Sequence, residues 1–279
     1  MQICSTIQQI SALISQWKKD KKSIAFVPTM GGLHAGHLSL VDQALQVADE
    51  VVVSIFVNPA QFGENEDFDN YPDTLKQDLA LLEVHQISAV FIPSKEQIYP
   101  DGFKADIKAG NLSKSLCGKS RPGHFDGVVQ VVCRLFEIIS PDVAIFGQKD
   151  YQQLLVIKQM VKAQSLDVEI LSGSIVREDD GLAMSTRNQY LTTDQRSMAA
   201  ELYKALKQLE SDVLLTGEFD SQVIDTEALL SKYFKIDYLS VLDANTLRAT
   251  TDNTTKIAIL CAVFLGSTRL IDNIIFNKG

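Results

Sequence analysis

Short apolar segments alternate with segments of helical periodicity along the first two thirds of the chain. Ile7, Ile10, Leu13, Ile14 and Trp17 recur at helical spacing and predict an opening amphipathic helix. Apolar runs of strand length then alternate with helical stretches, which is typical of a parallel sheet with helices on both faces. The predicted strands are 23–28, 50–57, 89–93, 142–147 and 168–171, and the predicted helices between them are 36–47, 73–84, 127–138 and 151–163.

The pattern changes after about Arg177, where long helices give way to strands. The periodicity predicts helices over 194–210 and 221–234 and then strands over 235–243, 256–266 and 268–276. Gly266 and Ser267 are typical of a tight turn, so the last two strands should be antiparallel. We therefore predict a Rossmann-like α/β domain over residues 1–176 and a smaller C-terminal α+β domain over residues 177–279.

Composition and charge narrow the classes of function. Hydrophobic residues make up 46% of the 279 residues and the net charge is −9, so we expect a globular protein with an acidic surface. Such a surface repels nucleic-acid phosphates and anionic lipid, which argues against both as partners. No signal-peptide pattern and no apolar run of ~18–20 residues is found, and the four cysteines form no CxxC pair. We expect a cytoplasmic protein with reduced thiols.

The glycine-rich segment after the first predicted strand of the sheet carries the strongest chemical signal. Gly31 and Gly32 permit a sharp turn with close backbone approach. His34 and His37 are three residues apart and would share one face of the next helix. The N-terminus of a helix attracts anions, so the segment predicts phosphate recognition. A chance spacing and a metal-binding pair are the alternatives, although no carboxylate lies close in sequence.

Two further loops follow predicted strands and carry polar side chains. Asn58 and Gln61 can orient hydroxyls or a carboxylate without neutralising the carboxylate. Lys149 can reach a phosphate as a mobile cation, and Gln153 lies one helical turn after Asp150. Taken alone, the Asn58–Gln61 loop is more typical of an ordinary turn, and the Lys149 loop is compatible with one.

Two further segments carry cations. Ser185, Thr186 and Arg187 place two hydroxyls and a guanidinium together, where they could stabilise charge on a transferring phosphate. Lys119 and Arg121 make a Gly- and Pro-containing loop locally basic. No GxxxxGK[ST] pattern occurs, so no P-loop is expected, and the absence of GxGxxG argues against a dinucleotide site.

Two of these segments together resemble a known superfamily. HAGH (34–37) followed by MSTR (184–187) is similar to the paired signatures of the nucleotidylyltransferases, which contact ATP phosphates in that group. The ordered motifs PTMGGLHAGHLSLV, FVNPAQF, RPGHFDGV, FGQKDYQQ and MSTRN resemble the pantothenate synthetase (pantoate–β-alanine ligase) family over essentially the whole chain. One departure is Thr186, where serine is common in the family, and it keeps the hydroxyl.

The resemblance implies a two-step reaction. The carboxylate of (R)-pantoate attacks the α-phosphorus of ATP to give pantoyl adenylate and pyrophosphate, and the amine of β-alanine then displaces AMP to give pantothenate. It also implies a Mg²⁺ ion held through the ATP phosphates rather than by the protein. A homodimer built on the larger domain follows from the same resemblance. We also predict that the smaller domain closes over ATP as a lid.

The resemblance also implies roles for individual residues. Catalytic roles fall on His34, His37, Lys149 and Arg187, with His37 the family's proton donor. The implied ATP site comprises Met30, Gly31, Gly32, Leu33, His34, Ala35, Gly36, His37, Gly147, Gln148, Lys149, Asp150, the backbone at Val176, Met184, Ser185, Thr186 and Arg187. Gln61 and Gln153 would bind pantoate, and Gln61 would also bind β-alanine. Asn58 and Arg121 are second-rank candidates.

Three other functions remain open at this point. A related adenylyl or cytidylyl transferase could use another acceptor, and a regulatory protein could bind nucleotide without catalysis. An RNA-charging enzyme would carry similar signatures. The acidic charge and the lack of a further RNA-binding domain argue against the last of these.

Overall fold

The computed structural model describes residues 1–64, 66–102 and 107–278 and divides into two compact units. The first unit contains residues 1–148 and 153–174. The second contains residues 149–152 and the chain from Ile175 onward. The predicted division between residues 176 and 177, and the roles given to its two parts, stay predictions.

The first unit is built on a six-stranded parallel sheet of order β1-β4-β3-β2-β5-β6. Its strands are β1 Gln2–Cys4, β2 Ile24–Thr29, β3 Glu50–Ile55, β4 Ala89–Phe91, β5 Val143–Gly147 and β6 Glu169–Gly173. The chain adds β3 and β4 on one side of β2 and later adds β5 and β6 on the other. The order therefore reverses at β2 and β5, where open parallel sheets bind their ligands.

Seven helices belong to this part of the described chain. They are α1 Ile7–Lys19, α2 Ala35–Val47, α3 Leu75–Val84, α4 Lys95–Ile98, α5 Cys117–Ser120, α6 His124–Ile139 and α7 Tyr151–Ala163, with short 3-10 turns at Pro59–Gln61, Asn111–Lys114 and Gln148–Asp150. All predicted strands and helices of this part are present. The strand predicted to reach residue 57 ends at Ile55, and β1 was not predicted because three residues are too few to show a period.

Helices cover both faces of the sheet, as predicted. Ala25 and Val27 of β2 pack in one cluster with Leu40 of α2. Phe26 points to the opposite face, because successive side chains of a strand alternate. The centroid of its ring lies 6.2 Å from that of Phe136 on α6. The fold prediction for this part of the chain is confirmed.

Among its described residues, the second unit combines three α-helices with a three-stranded antiparallel sheet of order β7-β8-β9. Its elements are α8 Thr193–Ala199, α9 Glu201–Thr216, α10 Asp220–Leu230, β7 Lys235–Asp243, β8 Lys256–Leu265 and β9 Thr268–Asn277. Leu265 pairs with Thr268 across Gly266, which has φ +62°, so the predicted tight turn is confirmed.

Two helix predictions in this unit were wrong in detail. The single helix expected over 194–210 is two helices, α8 and α9, separated by Ala200, and α9 runs on to Thr216. Ala200 keeps helical angles (φ −62°, ψ −23°), so neither a glycine nor a proline marks the break. The helix expected to reach residue 234 ends at Leu230.

Burial in the described residues fits the composition. The cysteines Cys4, Cys117, Cys133 and Cys261 are all buried, and burial raises the pKa of Cys4, Cys133 and Cys261 above the usual thiol value. Across the described ranges, we find no helix with both the length and the apolarity that crossing a bilayer requires.

Candidate active site

The turn between β2 and α2 closes around a buried carboxylate. Gly31 and Gly32 adopt φ +82° and +64°, a region that favours glycine because it has no Cβ. The N–H groups of Gly32 and Leu33 donate to Oδ2 and Oδ1 of Asp78 at 3.0 and 2.8 Å. Asp78 lies on α3, far along the chain, so the expectation that no carboxylate lies near this segment holds in sequence but not in space.

The two histidines meet at the N-terminus of α2, as their spacing predicts. Their ring centroids are 4.2 Å apart. His34 Nδ1 accepts the N–H of Gly36 at 3.1 Å, and His37 Nδ1 accepts the N–H of His34 at 3.4 Å. A nitrogen that accepts an N–H carries no proton, so each neutral imidazole holds its proton on Nε2. Both rings therefore present an Nε2–H donor.

This tautomer argues against the metal-binding alternative for His34 and His37. A metal at Nε2 would require the ring proton to move to Nδ1, where a backbone N–H already points. In addition, the described residues contain no group of three or more His, Cys, Asp or Glu side chains suited to a metal ion. The pair is built to donate hydrogen bonds.

Asn58, a second-rank candidate, is a buried hub beneath the loop after β3. Its Oδ1 accepts the N–H of Ala60 and the hydroxyl of Tyr99, the latter at 2.7 Å. Its Nδ2 donates to Oε1 of Gln61 at 2.9 Å and to the carbonyl of Gly127 at 3.1 Å. The oxygen of the Gln61 side-chain amide therefore faces Asn58, and its nitrogen points away from Asn58. Burial raises the pKa of Tyr99 despite that hydrogen bond, so its hydroxyl stays a donor.

Arg121 is held within the protein, and the loop around it is less basic than the sequence indicated. Its Nε and Nη2 donate to the two carboxylate oxygens of Glu66 at 2.6 and 2.5 Å. Burial raises the pKa of Glu66, but the hydrogen bonds and charge of Arg121 outweigh burial and leave it below its usual value. The guanidinium and the carboxylate thus form an ion pair at neutral pH.

The Arg121 guanidinium and the His124 ring also hold the backbone of Gln61. Arg121 Nη2 and His124 Nδ1 both donate to the Gln61 carbonyl, at 3.2 and 2.8 Å. His124 Nε2 then accepts from Arg121 Nη1 at 2.9 Å, which defines a neutral imidazole protonated at Nδ1. Neither Glu66 nor His124 was predicted from sequence, although His124 stands within the RPGHFDGV motif.

Three of the predicted loops lie on one edge of the sheet. Thr29 of β2 pairs with Ile55 of β3, and the β2–β5 register places Thr29 level with Gly147. The histidine turn, the Asn58–Gln61 turn and the Gly147 strand end therefore follow three adjacent strands at their carboxyl ends. This is the edge at which parallel sheets bind ligands. Gln153 also belongs to this unit, on the first turn of α7.

Gln148 is the last residue of the first segment of the first unit, and the predicted site residues Lys149, Asp150, Val176 and 184–187 belong to the second unit. The chain from Val176 to Met184 forms a tight hairpin, in which Met184 N–H donates to the Val176 carbonyl at 3.0 Å and Arg177 pairs with Ala183. Ser185 caps the following turn by accepting the Arg187 N–H at 3.3 Å. These bonds fix the backbone that carries the predicted hydroxyls and guanidinium.

Strand β9 anchors both predicted loops of the second unit. Asp272, which is buried, accepts a two-pronged contact from Arg177 at 2.6 and 2.9 Å. Asn273 Nδ2 donates to the Lys149 carbonyl at 2.9 Å. The Arg177 guanidinium also stacks 3.7 Å from the ring of Tyr203. The roles of Asp272 and Asn273 left no signal in the sequence, because both act on loops that lie far away along the chain.

The family model for pantoate–beta-alanine ligase matches residues 2–275. The chain belongs to this family. The pantothenate synthetase of Vesicomyosocius okutanii subsp. Calyptogena okutanii (strain HA) is 58% identical over 278 residues, covering 100% of this chain and 98% of the relative. That of Ruthia magnifica subsp. Calyptogena magnifica is 56% identical over 279 residues, covering 100% of both chains.

Solved structures of pantothenate synthetases share the fold. The crystal structure of the Thermus thermophilus protein has a TM-score of 0.92 at 39% identity, covering 98% of this chain and 99% of that one. The Francisella tularensis ligase, crystallised with beta-gamma ATP and beta-alanine, has a TM-score of 0.84 at 36% identity, covering 99% and 97%.

Membership of the pantoate–β-alanine ligase family decides the activity. The chain is an enzyme that condenses pantoate with β-alanine in an ATP-dependent reaction, through the adenylate that is standard for the family. The function predicted from the ordered motifs is confirmed, and the three other functions left open are set aside. The roles of individual residues stay predictions.

Gly127→Ala should destabilise the protein, although Gly→Ala within a helix normally stabilises by about 1 kcal/mol. A Cβ at Gly127 would lie 2.1 Å from the carbonyl oxygen of Ala60, a backbone atom that cannot turn away. Overpacking of this kind costs about 1–3 kcal/mol. Urea unfolding followed by Trp17 fluorescence measures the change. Gly63→Ala is the control, because its Cβ would meet ordinary contacts at 3.8 Å or more. Equal stability of the two variants would contradict the close approach.

Asp272→Ala should lower the free energy of unfolding of the second unit by about 3–5 kcal/mol, because it leaves the partly buried Arg177 guanidinium without its carboxylate. Hydrogen exchange at the β8 amides reports on this unit. The exposed pair of Glu201 and Lys204 supplies the control, and Glu201→Ala should cost at most about 1 kcal/mol. Similar exchange rates in the two variants would show that the Asp272 contact contributes little.

Proposed function

We propose that the loops after β2, β3 and β5 hold ATP and pantoate, and that His34 and His37 bind phosphate oxygens through Nε2–H. The observation that carries this proposal is the histidine pair at the N-terminus of α2, with both Nδ1 atoms held by backbone N–H groups. Helix N-termini favour anions, and donors fixed in advance need no reorganisation as charge develops. The other residues proposed to line ATP in this unit are Met30, Gly31, Gly32, Leu33, Ala35, Gly36, Gly147 and Gln148.

The same geometry supports a particular role for His37. Attack of the pantoate carboxylate on the α-phosphorus moves negative charge onto the α-phosphate and the departing pyrophosphate. A protonated His37 would carry a second N–H at Nδ1, facing the N–H of His34. We therefore propose that His37 stabilises the transition state as a neutral hydrogen-bond donor and does not transfer a proton.

Neutral amides are proposed to orient pantoate. Gln61 and Gln153 would bind it, and Gln61 would also contact β-alanine. Because Asn58 Nδ2 donates to Gln61 Oε1, Gln61 Nε2 is the atom that can donate to a substrate. A carboxylate held by amides keeps its nucleophilicity, which a clamping cation would reduce. Asn58 and Arg121 would serve by holding Gln61.

The second unit is proposed to supply the cations for the phosphates. Lys149 and Arg187 would carry the positive charge, and Asp150, Val176, Met184, Ser185 and Thr186 would line the nucleotide. The Francisella ligase crystallised with beta-gamma ATP and beta-alanine supports nucleotide and amine as ligands. Mg²⁺ prefers oxygen ligands and commonly binds through substrate phosphates, so it would enter with ATP. A cytoplasmic homodimer and a lid role for the smaller domain complete the proposal.

One assay tests the reaction order and the metal together. Pyrophosphate exchange into ATP should require pantoate and Mg²⁺ but not β-alanine, because the adenylate forms first. AMP and pantothenate should accumulate together when β-alanine is added. Exchange that needs β-alanine, or full activity with EDTA present, would contradict the proposed sequence of steps or the metal.

His37→Ala should lower kcat by about 10²–10³, by analogy with the loss of one transition-state donor. His37→Gln should recover about tenfold, since an amide N–H replaces the donor but cannot act as an acid near neutral pH. His85→Ala, which removes a surface contact to Asp42, should stay within about twofold of the parent. If His37→Gln were no better than His37→Ala, the donor role would lose its support.

A further inference from the structure

Asp78 is buried beneath the turn that leads into α2. Its exposed fraction is 1%, and its two carboxylate oxygens accept the N–H groups of Gly32 and Leu33 at 3.0 and 2.8 Å. Thr74, which precedes α3, donates its hydroxyl to Asp78 at 3.0 Å and accepts the Gly32 N–H at 3.0 Å. One carboxylate and one hydroxyl thus bind the backbone of the turn from the side of α3.

Consecutive N–H groups in a turn of this conformation form an anion-binding concavity. In many proteins such a concavity receives a phosphate, but here the anion is the chain's own carboxylate. The fit is close, since a Cβ on Gly31 would lie 3.0 Å from Asp78 Oδ2. Gly31 therefore allows Asp78 to approach the turn closely, and the hydrogen bonds that we propose for phosphate come from the histidine side chains that follow.

We propose that Asp78 is a positioning residue for the ligase reaction, because its carboxylate fixes the turn that places His34 and His37. Leu33, which donates to Asp78, immediately precedes His34, the N-cap of α2. The His34 N–H in turn holds Nδ1 of His37. The inference rests on the proposed role of these histidines in binding ATP.

The carboxylate is required because it accepts on two oxygens. In Asp78→Asn, one oxygen remains and the new NH₂ group faces a backbone N–H, so one bond to the turn is lost. The turn and His34 must then shift. Displacements of about 1 Å at a catalytic group can cost about 10² in rate.

The test compares three variants by steady-state kinetics with ATP, pantoate and β-alanine. Asp78→Asn should lower kcat roughly 10–100-fold. Asp142→Asn is the matched control, because Asp142 Oδ2 accepts the Ile24 N–H at 2.7 Å at the opposite end of β2. Because an asparagine keeps one oxygen for that N–H, this variant removes the negative charge without removing the bond and should keep kcat within about twofold. His37→Ala supplies the reference for loss of a phosphate donor.

Histidine ¹⁵N NMR separates positioning from general stability. His34 and His37 should show the Nε2–H tautomer in the parent, and their signals should move in Asp78→Asn but not in Asp142→Asn. His124, protonated at Nδ1, serves as the internal reference. If Asp78→Asn does not fold, Thr74→Val removes the hydroxyl and keeps the carboxylate, and it should shift the same signals with a severalfold loss of kcat.

The outcomes are distinguishable. If a folded Asp78→Asn, or Thr74→Val in its place, matches Asp142→Asn in kcat and in its histidine signals while His37→Ala is impaired, the positioning role of Asp78 is overturned and the proposed function stands. If His37→Ala is also unimpaired, the proposed phosphate role of the histidines fails as well.

Discussion

Parallel pairing of β2 with β3 on one side and β5 on the other fixes the candidate site of the first unit. The shared register ends these strands at one level, so the turns that follow them emerge side by side. Parallel strands need long crossover connections, and those connections are the helices that bury the sheet. The sheet that gives the unit its core therefore also determines which distant residues can act together.

Within this frame, the polar groups of the first unit are arranged to hold one another. The charge of Arg121 is paired with Glu66, and the charge of Asp78 is met by backbone N–H groups. The donors that we propose for a ligand in this unit, the histidine Nε2–H groups and the Gln61 amide, are neutral. Neutral donors bind an anion without a buried cation, whose desolvation would be costly.

The sequence predicts the helices and strands better than it predicts which distant side chains contact the site loops. Strands and helices repeat a local period, so they could be placed, and the HAGH and MSTR motifs indicated the chemistry. Asp78, Glu66 and Tyr99 could not be found in this way, because each acts on a loop distant in sequence and looks locally like an ordinary surface residue. The break at Ala200 was also invisible, since helical angles continue through it.

The second unit shows the same dependence on distant contacts. Asp272 and Asn273, neighbours on the last strand, hold Arg177 and the carbonyl of Lys149. Lys149 lies just before α7, most of which belongs to the first unit. The hydrogen bond from Asn273 nevertheless holds Lys149 on β9, and residues 149–152 accordingly group with the second unit. The lysine and the 184–187 loop, which are far apart in sequence, thus share one anchor.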